Sequence, residues 1–272
     1  MSVANDLERA ADVIALRRIA LGAPLHLLDE TTSTNDEAKR AAKEGAPHGS
    51  TWVAESQRAG RGRQGRSWLA ARGESLLFSV VVRVPCAPAR LPPLSLVVGL
   101  AVRDAVARVI TDAAVRIKWP NDVVVGDGRR KIAGVLVEAT LSGATVDAIV
   151  VGVGVNVHTR AFPDEIAALA TSVALAGNDG ADRAEILADI LASLDRDVPI
   201  AAARGLVAVH ARLSAADALR GERVRSETSE GTAEGIDVEG RLLVRTDAGA
   251  LERWSSGEAH LLRAAEPSPA ER

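Results

Sequence analysis

The densest chemistry in the chain lies in Gly60-Arg61-Gly62-Arg63-Gln64-Gly65-Arg66, followed by Ser67 and Trp68. Three arginines are interleaved with three glycines. Glycine loses too much backbone freedom to belong inside a regular helix or strand, so the stretch is predicted to be a loop. The arginine fork matches carboxylate and phosphate oxygens, and glycine lets backbone approach a ligand closely. A loop that orders on an anionic ligand is one reading. The stretch alone leaves two others open: a solvated basic loop and a patch for RNA.

Four further stretches carry polar side chains at suggestive places. Ser33-Thr34-Asn35 precedes Glu37, and Thr34 with Glu37 has the spacing of a capping box for a helix running to Glu44. The alternative is that this helix start, rich in N–H groups and hydroxyls, holds a polar ligand. Lys118-Trp119-Pro120-Asn121-Asp122 ends a strand at its proline, and Asn121-Asp122 could be only the turn that follows. Lys131 follows Arg130 at the start of an apolar run. Gly152 and Gly154 interrupt a strand that ends at Asn156, marking either a bulge or a close approach by a ligand or backbone. The five histidines are scattered without metal-ligand spacing. Cys86, the only cysteine, lies between Pro85 and Pro88 with no base nearby; it excludes a disulfide framework within the chain and fits a reducing compartment.

The elements that must position these residues follow from periodicity. Helices are predicted over 4–20, from 34 to 44, over 94–110, from Pro163, over 184–194 and over 200–213. Strands are predicted over 25–28, 51–55, 75–82, 115–118, 123–125, 131–139 and 146–157, with Gly126-Asp127-Gly128 as a hairpin turn. Strands and helices do not alternate strictly, so the class is α+β with a mixed or antiparallel sheet. From Leu219 the pattern changes to short strands at 222–226, 231–238, 242–246 and 250–254, as in a small β-barrel or sandwich. The expected division is a domain over 1–216, a small barrel over 217–265 and a disordered tail over 266–272.

The totals narrow the function classes. The net charge of −3 lacks the basic excess of a nucleic-acid-binding protein, so the loop arginines are a local feature. With no tyrosine and two phenylalanines, a tryptophan beside the glycine-rich loop stands out. The acidic, helical start is unlike a signal peptide, and the apolar run 94–102 is too short to span a bilayer, so a cytoplasmic location without membrane attachment is expected.

Taken together, GRGRQGR, KWPND and RKIAGVLVE, in this order, resemble the biotin protein ligase family, also called biotin–[acetyl-CoA-carboxylase] ligase. The resemblance covers about residues 25 to 263. It implies a biotin/lipoate ligase-like, class II synthetase-like catalytic domain with a mixed sheet packed with helices, and a C-terminal β-barrel of the Src-homology-3 type. It implies that the biotin carboxylate attacks the α-phosphate of ATP to give biotinyl-5′-AMP and pyrophosphate, with Mg²⁺. A lysine of a biotin carboxyl carrier protein then takes the biotinyl group and AMP leaves.

Residue by residue, the resemblance assigns Ser33, Thr34, Asn35 and Gln57 to the biotin head group. Arg61, Gly62 and Arg63 cover the biotin chain and the adenylate phosphate. Lys131 reaches the biotin carboxylate and the α-phosphate, and with Arg63 forms the catalytic pair. Trp68 lies near adenine and the valeryl chain, Asn156 faces adenine, and Arg66 and Asn121 belong to the nucleotide site. Asp122 is the Mg²⁺ candidate. Gly134, Gly152 and Gly154 leave room for the ligand. Some family members begin with a DNA-binding winged domain; the two dozen residues before the first strand here are too few, so DNA binding is not carried over. Gln64 stands where many relatives have a basic residue. The competing readings are a lipoate or octanoate ligase, a nucleic-acid-binding module built on the arginine loop, and an inactive carrier-protein adaptor.

Overall fold

The computed structural model describes residues 3–127 and 129–262. The expected tail and the last residues of the expected barrel, from 263 onward, lie outside them. A 3₁₀ segment, Val3–Arg9, leads into α1 (Ala10–Leu16), followed by β1 (Leu25–Leu28), α2 (Thr34–Lys43), β2 (Thr51–Ala54) and β3 (Ser75–Val82). Then come α3 (Leu91–Val109), β4 (Val115–Lys118), β5 (Asp122–Val125), β6 (Arg130–Ser142) and β7 (Thr145–Asn156). The helices α4 (Asp164–Ala167), α5 (Arg183–Arg204) and α6 (His210–Ala216) complete this part.

Seven strands form one sheet in the order β1-β2-β3-β7-β6-β5-β4. Only β1 and β2 run parallel; the remaining neighbours are antiparallel, so the sheet is mixed as expected. The interior strand β3 is buried along its whole length, because both faces are covered. On one face Phe78, Val80, Ile149 and Val151 pack with α3 and α5 residues such as Leu100, Ile186 and Leu191. On the other, Val81 and Val150 pack against Ala38 and Ala42 of the short α2. Because α2 covers only part of that face, an open stretch remains beside it.

Strand periodicity of two decides what lines the open stretch. Leu77, Gly154 and Gly134 are in register across β3, β7 and β6, and Ser79, Gly152 and Leu136 form the next row. Val81, Val150 and Glu138 form a third. The glycine interruptions of β6 and β7 therefore fall side by side on one face. Lys131 reaches that face through a bulge between β5 and β6, where Val123 pairs with Ala133 but Val124 pairs with Lys131. Ile132 and Ala133 both enter the core. In an unbulged strand of the same sequence, Lys131 would share the core face of Ala133 and Val135.

The C-terminal unit comprises β8 (Arg223–Arg225), β9 (Glu230–Ile236), β10 (Leu242–Arg245), β11 (Leu251–Trp254) and β12 (His260–Leu261). They form an antiparallel sheet ordered β11-β10-β9-β8-β12, a five-stranded form of the expected small β-domain whose last strand the sequence pattern does not reveal. It is tied to the main sheet by Trp119 Nε1 donating to the Gly240 carbonyl at 3.0 Å.

Three local expectations are corrected. The first helix is 3₁₀ over its first half and stops at Leu16, with Arg18 at φ 54°. The two helices expected over 184–194 and 200–213 are instead one helix to Arg204, then α6. Pro199 does not divide them, because Val198, Ala201 and Ala202 stay buried and continue the apolar face. Burial of this kind offsets the roughly 3 kcal/mol that an interior proline costs. The Thr34/Glu37 capping box does not form: Ser33 is the N-cap residue, its side chain makes no capping bond, and Glu37 accepts from Thr31 Oγ1.

Candidate active site

The unused capping hydroxyls point into a polar cluster instead. The Thr34 backbone N–H donates to Gln57 Oε1 at 2.7 Å, and Gln57 is held opposite Thr31 by a parallel bridge. Ser79 Oγ lies 2.9 Å from Thr34 Oγ1 and 2.8 Å from Asn35 Oδ1. Asn35 Nδ2 donates to Glu138 Oε2 at 2.8 Å. Ser33, Thr34 and Asn35 are all buried, so these bonds form in a low-dielectric pocket and fix the amide and hydroxyl directions. The space above Gly152 is taken by the Asn35 amide: a Cβ at 152 would collide with Asn35 Oδ1.

The arginine stretch is a closed turn. Trp68 N donates to the Gly60 carbonyl at 2.9 Å and Gly62 N to the Arg66 carbonyl at 2.7 Å, with Arg61 and Ser67 paired antiparallel. Its tip is a 3₁₀ turn over Arg63–Gly65, in which Gln64 takes the left-handed region at φ 55°. Each arginine has a different partner. Arg61 lies 2.7 Å from Asp36 and 3.1–3.2 Å from Glu138; Arg63 donates to Asn121 Oδ1 at 3.1 Å; Arg66 pairs with Glu258 of the C-terminal unit at 2.7 Å. Burial would lower the Arg61 pKa, but the two carboxylates raise it.

Trp68 closes the turn onto the glycine floor. A Cβ at Gly154 would lie 2.5 Å from Trp68 Cε2, and one at Gly134 would lie 2.9 Å from Cζ3. The indole Nε1 is buried without a hydrogen-bond partner. The room expected above these glycines is thus filled by the tryptophan ring.

Beside the ring, Lys131 Nζ lies 5.4 Å from its centroid and 2.7 Å from Asp122 Oδ1. The approach to Asp122 is off the hydrogen-bonding direction, so the contact is chiefly ionic. Asn121 is fixed by Nδ2 donating to the Val135 carbonyl at 2.8 Å. Lys118 stands near Asp122 and Glu258; burial pushes its pKa down and the two carboxylates oppose that shift.

Two cavities meet at this junction. The first, about 130 Å³, is lined by Ser33, Thr34, Asn35, Gln57, Arg61, Gly62, Arg63, Ser79, Gly134 and Gly154. The second, about 390 Å³, is lined by Lys118, Asn156, Phe162, Ile166, Leu169 and His260. Arg66, Ser67, Trp68, Asn121, Asp122, Lys131 and Glu258 line both. Every residue singled out from the sequence for a ligand-binding role lines one or both cavities. Asn156 is anchored through Nδ2 to the Thr171 carbonyl at 3.0 Å. Sequence reasoning missed Asp36, Ser79, Glu138 and Glu258, and gave Lys118, though part of the KWPND stretch, no role of its own. Ser79 and Glu138 carry a usable signal, since each is a polar residue at an alternate position of an otherwise apolar strand. Glu258 carries none, being a charged residue in a short connection.

An arrangement of this kind can hold a polar ring at one end, a second ligand at the other, and two anions between them at Lys131 and Arg63. Comparisons with known proteins agree with it. Residues 27–156 match the Biotin/lipoate A/B protein ligase family and residues 220–262 match the Biotin protein ligase C terminal domain. The Biotin--[acetyl-CoA-carboxylase] ligase of Mycobacterium tuberculosis is 38% identical over 228 residues, covering 80% of this chain and 82% of that one. The enzyme of the same name from Paracoccus denitrificans is 35% identical over 232 residues, covering 82% and 95%. Among solved structures, the biotin protein ligase from Aquifex aeolicus in complex with biotin and ATP superposes with a TM-score of 0.71 at 30% identity, covering 88% of this chain and 100% of that one. The chain belongs to the biotin protein ligase family.

Proposed function

We propose that this chain activates biotin with ATP and transfers it to a lysine of a carrier protein of an acyl-CoA carboxylase. The observation that carries the reading is the pair of cavities joined at Lys131, one ending in a hydrogen-bonding cluster and the other larger and partly apolar. The ureido ring of biotin needs both donors and acceptors, and Ser33, Thr34, Asn35 and Gln57 supply them at the closed end. The valeryl chain then runs past Trp68, whose ring covers the glycine floor, toward Lys131. ATP fills the second cavity, with the base toward Asn156 and Trp68 and the α-phosphate at the junction.

A carboxylate oxygen of biotin forms a bond to the α-phosphorus, and pyrophosphate leaves with the electron pair of the broken bond. Two anions must meet for this, so the cost of bringing them together is what the site must offset. Lys131 and Arg63 do so by exchanging internal partners, Asp122 and Asn121, for ligand oxygens. Arg61 and Arg66 flank the same path. The carrier lysine, as a free amine, then attacks the anhydride carbonyl. The amide forms, AMP leaves, and the amine loses its proton. The closed turn over Gly60–Trp68 keeps water from the anhydride between the steps.

Among the described residues no group of three or more His, Cys, Asp or Glu side chains is placed to hold a metal. Asp122 fits Mg²⁺ only together with phosphate oxygens of the nucleotide, the usual manner for this ion. When bound there, Mg²⁺ would neutralise phosphate charge. We place the domain boundary near 216/217, where Ala218 N bonds the Ile117 carbonyl and the chain passes to the small β-unit. No helix among the described residues is long and apolar enough to cross a membrane.

Lipoate ligation is the competing reading within the same superfamily. The dithiolane ring of lipoate offers little for the Thr34–Gln57–Asn35 cluster to bond, which supports biotin. Incubating the protein with ATP, a carrier domain, and either biotin or lipoate, followed by mass spectrometry of the carrier, tests the proposal. Addition of a biotinyl group is expected; a lipoyl adduct with no biotinyl adduct would overturn it.

A further inference from the structure

Glu138 stands on the site face of β6, one row beyond Leu136 and Gly152, and its side chain is 17% exposed. A carboxylate at this depth is kept only where it is well partnered. Its partners come from three directions. Asn35 Nδ2 donates to Oε2 at 2.8 Å, Lys39 Nζ to Oε1 at 2.9 Å, and the Arg61 guanidinium reaches both oxygens at 3.1 and 3.2 Å. Burial pushes the carboxyl pKa up, but the Lys39 and Asn35 hydrogen bonds and the Arg61 and Lys39 charges outweigh it, so the group stays ionised.

Two of these partners belong to different parts of the site. Asn35 is in the head-group cluster: Ser79 Oγ meets its Oδ1, and the missing Cβ of Gly152 makes the space for it. With Oδ1 facing Ser79 and one N–H on Glu138, the amide cannot flip without losing its bond to the ionised carboxylate, and one N–H remains for a bound ring. Arg61 is the first arginine of the closed turn, and its other partner is Asp36. Glu138 is therefore a charged side chain that hydrogen-bonds both the head-group cluster and an arginine of the turn.

We propose that Glu138 is a positioning residue that couples recognition of the biotin head group to closure of the arginine turn. It fixes the Asn35 amide and, through the same carboxylate, draws Arg61 down over the first cavity. A ring bound to Asn35 reinforces an orientation that Glu138 shares with the closed turn, so occupancy of the cavity favours closure. The inference rests on the biotin-binding role given above to the first cavity.

Three variants separate coupling from simple tethering. Glu138→Gln keeps the shape and removes the charge. Asp36→Asn loosens Arg61 without touching Asn35. Lys39→Met removes the tether between α2 and β6 and one of the cations on Glu138, leaving Asn35 and Arg61 as its partners. For each, the KM for biotin and kcat are measured in pyrophosphate release, and trypsin cleavage after Arg61, Arg63 and Arg66 is timed with and without biotin. For E138Q, KM is expected to rise about tenfold, as for loss of charge-assisted hydrogen bonds, with kcat changed less than about threefold. Biotin should slow cleavage of the turn in the wild-type protein and no longer do so in E138Q. D36N should be cut faster but keep its biotin protection and a KM within about twofold, and K39M should match the wild type. If E138Q does not fold, Glu138→Asp, which withdraws the charge by one methylene, takes its place.

Wild-type KM and intact biotin protection in E138Q or E138D would overturn the role of Glu138, as would equal effects in K39M. A wild-type protein that makes no biotinyl adenylate from biotin and ATP would instead overturn the function proposed above.

Discussion

Gly154→Ala tests whether the glycine floor exists for Trp68. The added methyl would sit 2.5 Å from Trp68 Cε2 and 2.9 Å from both Cζ2 and Nε1, well inside van der Waals contact. Residue 154 cannot retreat, because β7 is hydrogen-bonded on both sides, to β3 and to β6. The ring can, because it sits at the end of an exposed turn. Overpacking of this kind costs about 1–3 kcal/mol. Alanine in place of glycine in a strand returns roughly 0.5–1 kcal/mol. The net cost to global stability is about 0–2.5 kcal/mol, so the melting temperature should fall by no more than about ten degrees. The displaced ring should instead appear in binding: 1–3 kcal/mol corresponds to about a 5- to 150-fold rise in the biotin KM. Its emission should also shift to longer wavelength, and subtracting the spectrum of a Trp68→Phe variant isolates it from Trp52, Trp119 and Trp254. Wild-type KM with unshifted emission would show that Trp68 does not rest on Gly154, and a collapse in melting temperature would show that the ring cannot yield.

Lys131→Ala should slow adenylate formation by about 10²–10³-fold, the usual effect of removing one preorganised charge, with an unchanged circular-dichroism spectrum; near-normal single-turnover rates would remove Lys131 from its role. Arg63→Gly takes one arm from the turn and loses the bond to Asn121, so released biotinyl adenylate, measured by chromatography, should rise. Arg183 is fully buried between Asp6 and Glu55, and Arg183→Met should cost about 3–5 kcal/mol in denaturant melts by stranding two carboxylates. Burial alone would raise the Asp6 pKa; His158, 3.7 Å away and so an electrostatic neighbour, and hydrogen-bonded Arg183 hold it well below the usual range. The stability it contributes is present above the unfolded carboxyl pKa of about 4 and is lost as pH falls further, so the melting temperature should drop below about pH 4 in the wild type and less steeply in Asp6→Asn.

The site was legible in the sequence where function demands unusual residue types. Glycines inside strands, arginines between glycines and a lysine beside a basic turn all violate local preference, and such violations mark sites. What could not be read was geometry that depends on neighbours. The capping-box spacing at Thr34 and Glu37 is correct, yet Gln57 from another segment takes the Thr34 N–H. Lys131 faces the ligand side only because Ile132 is accommodated in a bulge, and nothing in the apolar run after Arg130 announces an extra residue. Pro199 signals a helix end, but the buried residues beyond it carry the helix to Arg204. Glu138 and Glu258 act through partners more than seventy positions away, a distance over which a single sequence gives no pairing information.

Asp122 meets two demands that one substitution can separate. It holds Lys131 at 2.7 Å, and it is a carboxylate at the junction of the two cavities, where the proposed reaction puts the α-phosphate. If its only task were to hold Lys131, Asp122→Asn would leave the lysine nearer to a ligand carboxylate. Biotin would then bind at least as tightly, and adenylation would respond to Mg²⁺ as in the wild type. If it also carries Mg²⁺ with the phosphate oxygens, losing a charged ligand should raise the Mg²⁺ concentration for half-maximal rate on the order of tenfold. The second outcome is expected, because Asp122 Oδ1 is buried without a hydrogen-bonded partner beyond the ionic contact to Lys131. A carboxylate so placed in a phosphate site has an acceptor to offer once Lys131 turns to the ligand. Titrating Mg²⁺ against pyrophosphate release at saturating biotin and ATP decides between them, and an unchanged Mg²⁺ requirement in D122N would confine Asp122 to holding the lysine.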